Sequence, residues 1–178
     1  MTTIHRTSPE HKHESGFTLH EAGFTLMELL IVMSIMLIIM AFAVPQMLKV
    51  KKNADESSAL QSVRAINSAE MSYNGSYHTY ACPISLLGGD PKAGSSSPQA
   101  AQLLDTTLAA TSHKSGYVFT VTCGSKVTIS NQDLYNSYEV TAVPETVGKT
   151  GDYGYCSDDN NTIKYDPTGG TNCTQPVQ

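Results

Sequence analysis

The sequence predicts an α+β protein in which a long N-terminal helix packs on an antiparallel sheet of about four strands. Two patterns carry this prediction. Residues 24–73 begin as an almost uninterrupted apolar run and continue with one apolar stripe at helical spacing. Residues 117–165 instead contain short runs of aromatic and β-branched residues, separated by Gly, Asn and Asp.

The first half of the predicted helix has the length and composition of a membrane span. Residues 24–44 contain only three polar side chains, those of Thr25, Glu28 and Ser34. At about 1.5 Å per residue this helix covers about 30 Å, the thickness of the hydrocarbon core of a bilayer. Because the helix is apolar all round, it is not a surface helix of a soluble protein.

Glu28 is an ionisable residue inside this apolar run. A charge near the bilayer interior costs roughly 2.5–3.5 kcal/mol, and residues of this kind usually face a protein partner. We therefore interpret Glu28 as a carboxylate that awaits a cation on another subunit. The alternative is an acid at the edge of the span whose side chain reaches the interface.

The sequence GFTLMELL at residues 23–30, followed by the apolar run, resembles the class III signal of type IV pilins and type II secretion pseudopilins. The resemblance implies that a prepilin peptidase in the inner membrane cuts between Gly23 and Phe24. It also implies that the same enzyme methylates the new amino terminus of Phe24, and that Glu28 drives assembly. Pro45 matches a proline near which the helix loosens in assembled filaments of this family.

Cleavage would create an ammonium group on Phe24, which Glu28 of a neighbouring subunit can meet. Two opposite charges attract strongly in a medium of low dielectric constant, whereas either charge alone is expensive to bury. N-methylation keeps the amine cationic near neutral pH. We therefore expect Glu28 to select a partner and a register along the filament axis.

A second copy of GFTL begins at Gly16, seven residues before Gly23. It also has an acid five residues on, at Glu21, but no apolar run begins there. Because a membrane peptidase needs its site at the membrane edge, we predict cleavage after Gly23 and a removed leader of residues 1–23. Cleavage by signal peptidase after the A-F-A at residues 41–43 is the alternative.

The charges that flank the span do not decide its orientation. The leader carries Arg6 and Lys12 together with three acids, and Lys49, Lys51 and Lys52 follow the span. Positive-inside counting is therefore inconclusive. The resemblance implies a cytoplasmic leader and a periplasmic head in the inner membrane, followed by a place in a pilus at the cell surface.

Residues 45–75 form the amphipathic half of the predicted helix, and residues 76–178 form the head. The Asn74-Gly75 pair predicts the end of the helix. The predicted stripe that packs on the sheet consists of Leu60, Val63, Ile66 or Asn67, and Met71.

The head sequence predicts a loop region followed by the sheet. Residues 81–115 are rich in turn-forming Gly, Pro and Ser, and a short helix within 98–111 would turn Leu103, Leu104 and Leu108 inward. The predicted strands cover residues 117–122, 127–130, 137–143, 153–156 and 162–165.

All four cysteines, Cys82, Cys123, Cys156 and Cys173, lie in the head. An even number of cysteines in one region indicates disulfides and an oxidising compartment, and four cysteines allow three pairings. The resemblance favours Cys156–Cys173, since the family staples its carboxy-terminal loop, and this leaves Cys82–Cys123.

The run of Asp158, Asp159, Asn160 and Asn161 joins two predicted strands. We interpret it as a turn, and we expect no cofactor. Some pseudopilins bind calcium in a carboxy-terminal loop, and calcium prefers oxygen ligands. A calcium site at Asp158 and Asp159 is therefore the alternative, although the run has neither EF-hand spacing nor a closing Glu.

Charge and motifs exclude two classes of function. The net charge is −5, and residues 75–178 carry 5 Lys against 9 acids, a balance of −4, which argues against binding to nucleic-acid phosphates. The chain has no G-x-S-x-G, phosphate-binding loop or H-E-x-x-H motif, so we expect no enzyme.

The resemblance instead implies a structural subunit of a type IV pilus that polymerises with copies of itself. Its further partners would be the prepilin peptidase, the inner-membrane assembly platform and, before assembly, the lipid bilayer. The alternatives are a type II secretion pseudopilin and a minor pilin acting in adhesion or DNA uptake.

Overall fold

The computed structural model describes residues 23–90, 92, 94–129 and 132–177. The leader before Gly23, with the GFTL copy that begins at Gly16, lies outside the described residues. The chain divides into two compact units, and the boundary between them falls between Ala41 and Phe42.

Helix α1 spans Leu26–Tyr77, and its helical assignment runs through Pro45 without a break. The predicted end of the helix at Asn74-Gly75 is wrong, because the helix continues past both residues. The rings of Tyr73 and Tyr77 lie 4.7 Å apart on one face, and this i,i+4 pair stabilises the last turn. The helix ends where His78 adopts a left-handed backbone with φ of 57°.

The buried face of α1 differs from the predicted stripe. Met71 is 56% exposed and Leu60 only half-buried, whereas Val63 and Ile66 are fully buried. The helix is rotated because two polar residues of the buried face find hydrogen-bond partners in the head. The buried residues of α1 are Ala59, Ser62, Val63, Ile66, Asn67, Ala69, Glu70 and Tyr73.

The α+β class is confirmed, but the sheet has six antiparallel strands rather than about four. Its order is β1-β2-β5-β6-β7-β8. The first and last strands contain two residues each, too few to show an alternating pattern in the sequence. The strands of this sheet are β1 (His113–Lys114), β2 (Tyr117–Cys123), β5 (Tyr138–Pro144), β6 (Gly154–Asp158), β7 (Lys164–Asp166) and β8 (Gln175–Pro176).

The strand predicted at residues 127–130 does not join this sheet. It forms β3 (Lys126–Ile129), which pairs with β4 (Gln132–Tyr135) in a separate hairpin. The reason is that β2 pairs directly with β5, from Tyr117 opposite Pro144 to Cys123 opposite Tyr138. The hairpin is therefore an excursion between two neighbouring strands, and the β3 side chains are all exposed.

One face of the sheet packs on the second half of α1. Alternate residues of β2 (Tyr117, Phe119 and Val121) are buried, as are alternate residues of β5. This alternation is typical of an antiparallel sheet with one covered face.

The loop region contributes a 3-10 turn, Ile84–Leu87, and the short helix α2, Thr106–Thr111. Leu108 of α2 is buried in the core as predicted, while Leu103 is exposed because α2 begins only after it. Asp105 caps α2, since its carboxylate accepts a hydrogen bond from the N–H of Leu108.

Candidate functional site

The predicted cleavage position lies in an exposed, non-helical stretch. Gly23, Phe24 and Thr25 precede the first helical residue, Leu26, and all three are exposed. The peptide bond between Gly23 and Phe24 is therefore free of helical hydrogen bonds. A peptide in this state can enter an extended protease cleft without unwinding.

Thr25, which is not among the predicted site residues, caps α1. Its Oγ1 accepts a hydrogen bond from the N–H of Glu28 at 3.1 Å. A Thr followed three residues later by Glu is the spacing of a capping box, so the pattern was available in the sequence. The cap holds the start of the helix two residues after the predicted cleavage position.

Glu28 lies in the first turn of α1 with an exposed side chain. Its carboxylate forms no ion pair with any residue that the structure describes. A carboxylate in the first helical turn is favoured by the helix dipole. Its chemical capacity is to bind a cation that another molecule supplies.

The apolar surface around Glu28 is also uncovered. Every side chain from Gly23 to Ala41 is exposed within its own unit, although most of them are Leu, Ile, Met or Val. An apolar surface of this extent requires lipid or other helices around it. The helix is long and apolar enough to cross a membrane and is compatible with a single-pass anchor.

A buried carboxyl group, that of Glu70, lies between α1 and the head. Glu70 is 0% exposed, and its Oε2 accepts a hydrogen bond from the N–H of Ala81 at 2.8 Å. Its Oε1 has no partner among the described residues. Burial raises the pKa of Glu70 to about 7, and the Ala81 hydrogen bond only partly opposes this increase.

Asn67 extends this polar layer across the sheet. Its Nδ2 donates to Oγ of Ser157 at 2.7 Å, and its Oδ1 accepts from the Tyr138 hydroxyl at 3.2 Å. Glu70 is not among the residues predicted for the buried stripe, although Glu70 follows Val63 by seven residues and Ile66 by four. That spacing places it on the buried face.

We expect the head to lose stability as the pH rises from about 5 to 8. Glu70 has a folded pKa of about 7, above its usual 4.5, so the proton stabilises the folded state. This contribution is complete below pH 4.5 and is lost as the pH rises through 7, with a limit of about 3 kcal/mol. Thermal melting of the full chain in detergent, at several pH values, measures this loss of stability. The tyrosine near-ultraviolet circular dichroism signal reports the unfolding of the head.

Glu70→Gln is expected to flatten this pH dependence, because glutamine does not titrate. Glu139→Gln is the matched control, since Glu139 is exposed on β5 and should leave the slope unchanged. Equal slopes for the wild-type chain and Glu70→Gln would contradict the account.

Two disulfides tie the head together, Cys82–Cys123 and Cys156–Cys173, which are the pairs that the resemblance favours. The first joins the chain after α1 to the end of β2. The second closes the carboxy-terminal loop. In this loop Asp166 accepts hydrogen bonds from the hydroxyl and N–H of Thr168 and from the N–H of Asn172, and these contacts lower the pKa of Asp166.

Reduction is expected to destabilise the head and to leave the anchor helix intact. The two loops span 41 and 17 residues, and the chain-entropy model assigns them about 4 and about 3 kcal/mol. Replacing Cys156 and Cys173 together by Ser should lower the head melting temperature by about 10–20 °C. The far-ultraviolet helix signal serves as the internal control, and an unchanged head melting temperature would contradict a stabilising role for this disulfide.

The run of Asp158 to Asn161 has the hydrogen bonds of a turn. The Asp158 carboxylate accepts from the N–H of Asn160 at 3.1 Å, and Asn161 has φ of 57°. Among the described residues, no group of three or more His, Cys, Asp or Glu side chains is placed to hold a metal ion.

Residues 20–44 match the family model of the prokaryotic N-terminal methylation motif. This motif is the class III prepilin signal of type IV pilins and pseudopilins. No curated protein and no solved structure matches the chain.

The chain therefore combines a prepilin-type methylation motif, a helix long and apolar enough to cross a membrane, and an antiparallel sheet, and the motif implies processing by a prepilin peptidase. Over residues 20–44 the chain is similar to the precursors of type IV pilins and pseudopilins.

Proposed function

We propose that the chain is a structural subunit of a type IV pilus. The prepilin peptidase cuts between Gly23 and Phe24 and methylates Phe24, and the mature subunit polymerises through its N-terminal helix. The observation that carries the proposal is the prepilin motif at the start of a helix whose apolar side chains are exposed from Phe24 to Val50. Lipid covers these side chains before assembly, and helices of neighbouring copies cover them afterwards.

The exposed carboxylate of Glu28 supports a specific assembly contact. Cleavage leaves an ammonium group on Phe24, and the Glu28 side chain, which has no ion-pair partner among the described residues, accepts that cation from an adjacent copy. Loss of water around the pair strengthens the attraction and raises the cost of leaving either charge alone.

Two disulfides brace the head, which suits the oxidising compartments outside the cytoplasm, the periplasm and the cell surface. Before assembly the subunit spans the inner membrane once with its head in the periplasm, and it binds the assembly platform there. Its role is structural, and the proposal assigns no catalytic residue.

The mature amino terminus tests this proposal directly. Intact-mass and fragment spectra of purified protein should show a first residue of N-methylated Phe24. A first residue other than Phe24 would overturn it. Electron microscopy of a deletion strain should show loss of surface fibres, and fibres that persist while protein secretion fails would identify a pseudopilin instead.

A further inference from the structure

A cavity of about 450 Å³ lies beside the part of α1 that follows the apolar run. Residues of α1 and residues of the loop between β5 and β6 line it together. The loop residues follow the α1 residues by almost 100 positions, so only the fold brings the two sets together. The lining consists of Leu48, Lys49, Lys51, Lys52, Asp55, Gly148, Lys149 and Thr150.

The loop is held against α1 by polar contacts at Asp152. The Lys52 ammonium pairs with the Asp152 carboxylate at 2.5 Å, and the N–H of Asp152 donates to the Glu56 carboxylate at 2.6 Å. The Lys52 ammonium is therefore already neutralised by Asp152. The same contacts hold the loop, and with it Lys149, next to the helix.

Three lysines of the lining form no ion pair among the described residues. Lys49, Lys51 and Lys149 are exposed and form no ion pair with any residue in the described ranges. Asp55 is the acidic residue of the lining. Apart from Lys52, which is paired with Asp152, the lining therefore contains three ammonium groups and one carboxylate. The cavity is therefore suited to an anion.

The position of the lysines along the helix indicates where that anion lies. Lys49 follows Val44, the last residue of the apolar run, by five residues, or about 7.5 Å along a helix. The headgroup layer extends about 5–8 Å beyond the hydrocarbon core. Met47 and Leu48 are exposed at the same level, and alternation of apolar and basic side chains is typical of a membrane interface.

We propose that Lys49, Lys51 and Lys149 bind the phosphate headgroup of an anionic phospholipid at the membrane surface. The inference rests on the membrane-anchored stage of the proposed function and adds a partner to it. Under the proposed orientation the positive-inside rule does not account for Lys49 and Lys51 on the head side of the span. A lipid headgroup accounts for both, and it would hold the head against the membrane until the subunit enters a filament.

The test uses the full chain in vesicles of phosphatidylcholine, with or without phosphatidylglycerol, and a membrane-impermeant amine reagent read by mass spectrometry. Lys149 should react about fivefold more slowly in the anionic vesicles, and concentrated salt should remove the difference. Lys114 is the internal reference, because it is an exposed lysine of the same head in β1. It also corrects for heads that face the vesicle interior.

Lys149→Gln is expected to speed the labelling of Lys49 in anionic vesicles towards its rate in neutral ones, whereas Lys114→Gln should not. Carbonate extraction tests separately whether the chain is anchored in the membrane. If the chain resists extraction but Lys149 is labelled at the same rate in both kinds of vesicle, the lipid inference alone is overturned. If carbonate releases the chain, the membrane anchor is overturned as well. If inorganic phosphate in lipid-free detergent slows the labelling of Lys149, these lysines bind free anions. If the labelling of Lys149 slows as the protein density in neutral vesicles rises, they contact a second copy of the chain. Either result would overturn the inference.

Discussion

Gly23→Leu is expected to leave an uncut precursor in the membrane, with the processed form below detection and no filaments. The bond between Gly23 and Phe24 is exposed and non-helical, and a Cβ added at Gly23 would meet nothing within 4 Å. The substitution therefore leaves the described fold undisturbed, and the block arises in the peptidase cleft. Immunoblots and intact mass of membrane fractions measure the ratio of precursor to processed chain.

Gly16→Leu provides the matched control, because it makes the same change in the other GFTL copy. We expect normal processing, since no apolar run follows Gly16 directly and its bond is not at the membrane edge. Normal processing of Gly23→Leu, or a block by Gly16→Leu, would show that the peptidase uses another position.

Glu28→Ala is expected to be cut and inserted normally but to enter filaments at least about 100-fold less, the effect of about 3 kcal/mol for one broken buried charge pair. The start of the helix should persist, because Thr25 Oγ1 accepts from the backbone N–H of residue 28, which alanine retains. The defect therefore lies in assembly. Sheared surface fibres and membrane fractions, quantified by immunoblot, separate it from processing.

Ser34→Ala is the control in the same apolar segment. The Ser34 hydroxyl donates to the Ile31 carbonyl within its own helix at 2.8 Å, so its loss should not change filament yield. Glu28→Asp should retain part of the yield, since it keeps the charge on a shorter side chain. Wild-type fibre abundance in Glu28→Ala would disprove the charge-pair account.

The N-terminal segment could be interpreted from the sequence because its properties are local. The apolar length of residues 24–44 and the spacing from Gly23 to Glu28 need no tertiary contact to be recognised, and the family comparison matches the same segment. The Thr25 cap is local as well and was overlooked.

The head was predicted less completely, because its details depend on contacts between distant residues. Helical periodicity proposed Met71 for the buried face and Asn67 only as an alternative to Ile66. Glu70 is buried instead of Met71, and both Glu70 and Asn67 form hydrogen bonds with the head, to Ala81, Tyr138 and Ser157. Such partners cannot be recognised from spacing along one helix.

The sequence by itself determines that Glu28 lies within an apolar run and that Gly23 directly precedes this run. A membrane span can be recognised in this way because it is defined by the residues that it contains. The hairpin outside the sheet, the buried carboxyl of Glu70 and the meeting of Lys149 with the lysines of α1 follow from tertiary folding. The hairpin is left outside the sheet because β2 pairs with β5, and the other two features depend on burial and charge contributed by segments remote in the chain.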